Sequence, residues 1–273
     1  MKKLLLFMAV IVFSVRAEAQ GDLLVTPSRV VFEGNKQKEI LNLVNMGNET
    51  TTYSVSFVQK NMKEDGSFVD IIETESGQQF ADPYLRIFPR QVTLAPNEAQ
   101  TIVVQYRRKA DMGDGEYRSH LYFRSEKDYT ALGDKNGAND QKSLSVQLIP
   151  IFGMSIPVII RSGQTDVSAT LSDLKLDTQD QAVYNFSFTI NRTGNISLYG
   201  DIKVQFIPEK GKPYDVAVIN GLGVYTSINK RNISLRLNTL TGKPLVKGTL
   251  KVTYNSNGDG KTVVYATSDL VIK

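Results

Sequence analysis

The sequence predicts an all-β protein built as two β-sandwiches in tandem. Short segments in which apolar and polar residues alternate recur along most of the chain, separated by turn-forming clusters about 8 to 12 residues apart. No segment of normal helix length shows the helical period of about 3.6 residues. Alternation puts every second side chain on one face, so each segment has an apolar face to bury. Short strands with this spacing are typical of β-sandwiches.

The predicted strands share either this alternation or a run of β-branched and aromatic residues. They lie at residues 38–45, 51–59, 99–108, 117–124, 183–190, 202–207, 233–237, 248–254 and 262–272. Gly, Pro, Asn and Asp form the turn signals between them, at residues 64–66, 95–97, 112–115, 209–213 and 257–260. A polar segment without any period, residues 128–142, is predicted to be a long mobile hairpin loop.

The length of the chain fits two sandwich domains, since each takes on the order of 100 residues. The predicted boundary is the short polar segment at residues 161–165, directly after an uncharged apolar run. We therefore expect a first domain at residues 22–162 and a second at residues 163–273. The 273 residues include no cysteine, so buried apolar area must stabilise both domains without disulfides.

The first 20 residues have the organisation of a signal peptide. Met1-Lys2-Lys3 precedes an apolar run at residues 4–15, and Ala17-Glu18-Ala19 supplies the small-x-small pattern of a cleavage site. The run is shorter than the roughly 20 residues that a membrane-spanning helix needs. We predict that residues 1–20 are removed, and the absence of cysteine favours a bacterial periplasm over a eukaryotic secretory route as the destination. Asn-x-Ser/Thr sequons leave a eukaryotic secretory route open.

Two apolar segments carry the functional prediction. Residues 23–32 are predicted to form one strand that contains a lone arginine, Arg29, and residues 144–160 contain no charge at all. In the second segment, every second side chain lies on the same face of the predicted strand. Because proline cannot donate a hydrogen bond to a strand ladder, the residues before Pro150 are predicted to pair with another chain. These pairing residues are Leu144, Val146 and Leu148, and the residues after Pro150 are predicted to be core. The alternative is that the whole run is a buried central strand.

Four motifs, in their order and spacing, resemble the first domain of periplasmic pilus-assembly chaperones of the PapD type. They are TPSRVVFEG at residues 26–34, LNLVN at 41–45 with Tyr53, FPRQVTLAPNEAQ at 88–100 and EYRSHLYF at 116–123. The resemblance covers residues 23–161, and beyond residue 165 it is one of architecture only. It implies a boomerang of two immunoglobulin-like domains that lends a strand to secreted pilus or adhesin subunits lacking their last strand. It also implies delivery of these clients to an outer-membrane usher.

The same resemblance gives Arg29 a role. In the family, an arginine at this position and a lysine on the lending strand hold the C-terminal carboxylate of the client, and a guanidinium suits this task because it binds carboxylates through two parallel hydrogen bonds. The lysine is missing here, since no basic residue lies between Lys142 and Arg161. Anchoring then rests on Arg29 alone, on Arg29 with Arg118 or Arg161, or on another arrangement. The alternative for Arg29 is a surface ion pair with Glu33 or Glu116.

The sequence disfavours catalysis, metal binding and nucleic-acid binding. His120 is the single histidine and has no cysteine or aspartate at a recognisable spacing, so neither a nucleophilic triad nor a metal site is predicted. No glycine-rich phosphate loop precedes a helix, and we predict no cofactor. The net charge of +4 is not concentrated in one basic segment, which disfavours nucleic acid as a partner. The alternative functions are a structural or adhesive protein of the cell envelope and, more weakly, a carbohydrate-binding module that uses its tyrosines.

Overall fold

The computed structural model describes residues 23–71, 78–126, 151–180, 183–238, 245, 247–256 and 262–273. Within these ranges all regular secondary structure is β-strand except for a single 3₁₀ turn at Asp82–Tyr84. The strands are β1 (Leu23–Thr26), β2 (Val30–Phe32), β3 (Lys38–Asn45), β4 (Thr51–Val58), β5 (Lys60–Met62), β6 (Phe68–Asp70), β7 (Leu85–Phe88), β8 (Gln91–Leu94), β9 (Ala99–Tyr106), β10 (Gly115–Glu126), β11 (Gly153–Ser162), β12 (Val167–Asp180), β13 (Val183–Gly194), β14 (Leu198–Pro208), β15 (Tyr214–Val224), β16 (Lys230–Arg236), β17 (Gly248–Ser256) and β18 (Val264–Ile272).

The first sandwich consists of a four-stranded sheet, β1-β3-β9-β7, and a five-stranded sheet, β2-β11-β10-β4-β8. This order corresponds to the ABED and GFC sheets of an immunoglobulin-like sandwich. Alternate residues of the strands fill the space between the sheets, and the largest fully buried side chains there include Phe32, Leu41, Leu94, Ile102 and Phe123. A hairpin formed by β5 and β6 projects from this sandwich as a sheet of its own.

The second sandwich consists of the sheets β12-β13-β16 and β15-β14-β17-β18. Its core contains Phe186, Phe188, Phe206, Leu250 and Tyr254, all at most 2% exposed. The predicted fold class, an all-β protein of two immunoglobulin-like sandwiches, is confirmed. Sheet membership changes between β11, which ends at Ser162, and β12, which begins at Val167. The domain limits themselves, 22–162 and 163–273, stay a prediction.

The prediction of one strand across residues 23–32 is wrong. β1 pairs with β3 in one sheet, whereas β2 pairs with β11 in the other, so the chain crosses between sheets at residues 27–29. The physical reason lies in the sequence Thr26-Pro27-Ser28, because Pro27 has no N–H to donate to a ladder and the apolar alternation stops there. Arg29 is consequently placed at a crossing point and not inside a strand.

The uncharged run at residues 144–160 is described only from Ile151 onward. In β11, Ile156, Val158 and Ile160 face the core of the first sandwich, as predicted for residues after Pro150, and the half-buried Met154 packs against the same core. Ile151 and Phe152 depart from this prediction, since they are 44% and 42% exposed. Leu144, Val146 and Leu148 lie outside the described residues, as do the predicted leader at 1–20 and the predicted loop at 128–142. Over the part of the chain that is described, no helix is long and apolar enough to cross a membrane.

Candidate binding site

Part of one edge of β11 has no neighbouring strand among the described residues. On one side β11 pairs with β10 over its whole length, from Gly153 to Ser162. On the other side it pairs with β2 only, in parallel, and only at Val158, Ile159 and Ile160. The backbone of residues 153–157 therefore presents a strand edge, the kind of surface to which another chain can add a strand.

The direction of β2 indicates how an added strand would end. β2 occupies the same edge of β11, runs parallel to it, and begins at Val30 opposite Val158. A strand placed in line with β2 and running the same way along residues 153–157 would therefore reach its C-terminus beside the start of β2. The residue immediately before β2 is Arg29, and Arg29 and Pro157 line the same cavity.

Arg29 is a partly buried cation with an unused donor. Its guanidinium carbon lies 4.2 Å from the centre of the Tyr199 ring, which belongs to the second sandwich. Its Nη2 is buried and has no hydrogen-bond partner within the described ranges. Burial, followed by the charges of Arg118 and Arg161, lowers the pKa of Arg29 to about 10, so the side chain remains protonated at neutral pH. A buried donor without an acceptor favours binding of an anion.

Arg118 and Glu116 form a buried ion pair at the junction of the two sandwiches. Arg118 Nε and Nη2 donate to Glu116 Oε1 over 3.0 and 2.5 Å, and Glu116 Oε2 accepts from the backbone N–H and hydroxyl of Ser197 over 2.9 and 2.7 Å. Burial alone raises the pKa of Glu116, but Arg118 and Ser197 more than offset it and hold this pKa below its usual value. The guanidinium of Arg118 also lies 3.6 Å from the centre of the Tyr225 ring. These contacts tie the first sandwich to the second.

Arg161, and not Arg29, contacts Glu33 and Glu116, the two acidic residues that the alternative prediction paired with Arg29. Its Nη1 donates to Glu33 Oε2 over 3.1 Å, and its Nε lies 4.0 Å from Glu116 Oε2. No ion pair joins Arg29 to Glu33 or Glu116 in the described part of the chain, so the predicted alternative of a surface pair is wrong. Arg118 and Arg161 thus pair with Glu116 and Glu33, which leaves the positive charge of Arg29 without a carboxylate partner within the described ranges.

A cavity of about 420 Å³ opens between the two sandwiches beside Arg29. Arg29 and Pro157 line it from the first sandwich, Tyr199 and Tyr225 from the second, and Phe68 from the β5–β6 hairpin. The hairpin reaches the second sandwich, because the backbone N–H of Asn232 donates to the carbonyl of Glu64 over 2.7 Å. The cavity is therefore enclosed by three separate parts of the molecule.

His120 is a structural residue at this junction. Its ring stacks on Tyr225 with 5.9 Å between the ring centres, and its Nε2 lies 3.1 Å from the Tyr225 hydroxyl. Burial, reinforced by Arg118 and Lys60, lowers its pKa to about 3, so the imidazole is neutral at physiological pH. In the described ranges no group of three or more acidic or histidine side chains is placed to hold a metal ion.

Sequence reasoning identified the arginines of this site but not the residues that enclose it. Arg29, Arg118 and Arg161 were predicted, and the structure brings them within electrostatic reach of one another. Tyr199, Tyr225, Phe68 and Arg231 were missed. Their positions depend on how the second sandwich and the hairpin dock, and no local period or motif in the sequence signals that docking.

Comparison with known proteins gives similarity to solved structures only. No protein-family model and no curated protein matches the chain. The YadV chaperone is similar with 13% identity and a TM-score of 0.45, covering 92% of this chain and 100% of that one. The CsuC–CsuE chaperone–tip subunit pre-assembly complex of Acinetobacter baumannii Csu pili gives 10% identity and a TM-score of 0.41, covering 90% and 99%. The CupB2 chaperone of Pseudomonas aeruginosa gives 12% and 0.40, covering 90% and 98%. These scores are too low to assign a function to the present chain.

Proposed function

We propose that this protein is a chaperone of the bacterial periplasm for secreted pilus or adhesin subunits that lack one strand of their own fold. The observation that carries the proposal is the edge of β11 at residues 153–157, which no described strand pairs and which ends beside Arg29, whose Nη2 has no hydrogen-bond partner among the described residues. The edge offers main-chain hydrogen bonds to a strand of the subunit, here called the client. The guanidinium offers a binding group for the carboxylate at the end of that strand.

The two contacts have different roles in binding. Each main-chain hydrogen bond contributes only about 0.5 to 1.5 kcal/mol net, and a ladder of them tolerates many client sequences. The carboxylate can occupy only the C-terminus of the client, so Arg29 fixes the register of the added strand. A guanidinium whose Nη2 is already buried loses little further hydration at that atom when the carboxylate binds.

The strand-lending segment is proposed to continue N-terminally from β11. Leu144, Val146 and Leu148 would fill the groove that the client's missing strand leaves open. The exposed Ile151 and Phe152 lie at the start of the described part of this run, which agrees with an apolar surface awaiting a partner. The proposal includes export by residues 1–20, domains at 22–162 and 163–273, no catalytic activity, and transfer of the client to an outer-membrane usher.

If secreted β-subunits are encoded beside its gene, co-expression with them tests the proposal. We expect the wild-type protein to co-purify from periplasm with such a subunit. With Arg29→Ala the amount of co-purified subunit should fall at least about tenfold, the effect of losing one charge-assisted contact. Arg236→Ala is the matched control, because Arg236 is exposed on β16 and does not line the cavity beside Arg29. Equal recovery of client with Arg29→Ala and with Arg236→Ala would remove Arg29 from the site.

A second variant separates strand addition from the anchor. Leu148→Glu should lose the client while the protein stays folded, because the charge would enter the apolar groove of the client. Unfolding of Leu148→Glu would instead identify Leu148 as ordinary core. Retention of client by both Leu148→Glu and Arg29→Ala would contradict the proposal and favour a structural protein of the envelope.

A further inference from the structure

We infer that the cavity between the two sandwiches binds the side chain of the client's last residue and selects an aromatic one. This inference rests on the proposed function, because it takes the carboxylate of that residue to be held at Arg29. It adds a specificity site supplied largely by the second sandwich and the β5–β6 hairpin. The carboxylate anchor alone would accept any terminal residue.

The cavity has the size and lining of a side-chain pocket. Its volume of about 420 Å³ lies in the range of roughly 300 to 1,000 Å³ that is usual for small-ligand pockets. Aromatic rings contribute walls from two directions, Phe68 from the hairpin and Tyr199 and Tyr225 from the second sandwich, and Met62 and Leu222 add apolar surface. Aromatic side chains pack favourably against such rings in tilted or edge-to-face arrangements.

The sheet directs a terminal residue toward this cavity. Val30 faces the core of the first sandwich, whereas the guanidinium of its neighbour Arg29 lies against Tyr199 of the second sandwich. A client residue whose carboxylate reaches Arg29, with its side chain on that same side, would point between the sandwiches. The terminal side chain is thus the part of the client placed to fill the space.

Arg231 supplies a second unused donor in the same cavity. It lines the cavity from β16, its Nη1 donates to the carbonyl of Gly223, and its Nε is buried without a hydrogen-bond partner in the described ranges. A guanidinium can lie against the face of an aromatic ring and can donate to a phenolic hydroxyl. An aromatic side chain, and tyrosine above all, uses both the apolar walls and this donor.

Binding of three small probes to the mature protein tests the inference. The probes are N-acetyl-tyrosine, N-acetyl-alanine and N-acetyl-tyrosinamide, followed by NMR titration. We expect N-acetyl-tyrosine to bind at least about tenfold more tightly than N-acetyl-alanine, from burial of the ring, and more tightly than the amide, which lacks the carboxylate.

A variant that fills the cavity provides an independent test. A Cβ at Gly223 would meet Leu198 O, Tyr225 Cε1 and Tyr199 Cδ2 at 3.6 to 3.8 Å, which are ordinary contacts, so the rest of a leucine side chain would extend among the cavity walls. Gly223→Leu should reduce N-acetyl-tyrosine affinity to that of N-acetyl-alanine. Gly113→Leu, on an exposed turn outside the cavity, is the matched control and should retain the preference.

The outcomes separate the cavity from the anchor. Equal affinity of the wild-type protein for N-acetyl-tyrosine and N-acetyl-alanine would overturn the side-chain pocket and leave the carboxylate anchor standing. Binding of both acids that is unaffected by Arg29→Ala would overturn the anchor on which this inference rests, whereas the strand addition of the proposed function is tested separately by Leu148→Glu. Because the comparison of the two acids uses the unaltered protein, it decides the inference even where Gly223→Leu does not fold.

Discussion

Replacing Glu116 with glutamine should strongly destabilise the protein, because Glu116 is the carboxylate that pairs with the buried Arg118. Glu116 is 2% exposed and accepts four hydrogen bonds, two from Arg118 and two from Ser197. Glutamine keeps one acceptor oxygen and places an NH₂ group against donors. The substitution therefore leaves a donor facing a donor and the charge of Arg118 without its partner.

The expected loss follows from these contacts. Removing one partner of a buried ion pair costs about 3 to 5 kcal/mol, because the remaining charge is desolvated and uncompensated. Arg118 retains its hydrogen bond to Ser197 Oγ and its contact with the Tyr225 ring, which favours the lower half of that range. We expect Glu116→Gln to lower the free energy of unfolding by about 3 kcal/mol.

Urea denaturation of the mature protein measures this loss. Glu209→Gln is the matched control, because Glu209 is exposed near the end of β14 and should change stability by less than about 0.5 kcal/mol. The midpoint should fall for Glu116→Gln without a change in the urea dependence, since the surface exposed on unfolding is the same. A loss below about 1 kcal/mol for Glu116→Gln would refute the claim that this buried pair, with its contacts to Ser197 and Tyr225, stabilises the junction.

Two further predictions concern the same junction and the second sandwich. The pKa of His120 is about 3 in the folded protein and about 6.5 when unfolded, so the unfolded state binds more protons between these values and stability falls as pH drops below 6.5. When the pH is lowered from 7 to 5, the free energy of unfolding of His120→Gln should fall by about 2 kcal/mol less than that of the wild type, as measured by urea unfolding at both pH values. Equal falls in the two proteins would mean that His120 is not buried as a neutral group. Gly200→Ala should lower the melting temperature by several degrees, because the Cβ of the alanine would lie 1.8 Å from the carbonyl oxygen of Asn255 in the paired strand β17. An unchanged melting temperature would contradict this contact between the strands.

The sequence predicts the strands well where their alternation is uninterrupted. β3 has the predicted bounds, and β17 and β18 begin or end within two residues of theirs. β12 was missed because its apolar residues change parity, from Val167, Ala169 and Leu171 to Leu174 and Leu176. A β-bulge between Ser172 and Lys175, where Asp173 has a φ of 57°, restores the apolar face to the core while breaking the period in the sequence.

The candidate site is predictable only in part, for a related reason. Arg29 stands out in the sequence as a charge beside apolar residues, and the family resemblance gives it a role. Its stacking on Tyr199 joins residues far apart in the chain and in different sandwiches, and so does the contact between Phe68 and Tyr225, whose ring centres are 5.3 Å apart. Such contacts follow from how whole sheets dock, which short-range patterning does not encode.

Hydrogen exchange at the start of β11 tests the central claim most directly. In the free protein, backbone amides among residues 153–156 that do not pair with β10 should exchange rapidly, because no strand of the described ranges pairs with them. In complex with a client subunit the same amides should become protected, while amides at Val158 to Ile160, already paired with β2, change little. Slow exchange in the free protein, or no added protection on binding, would show that this edge does not receive a strand.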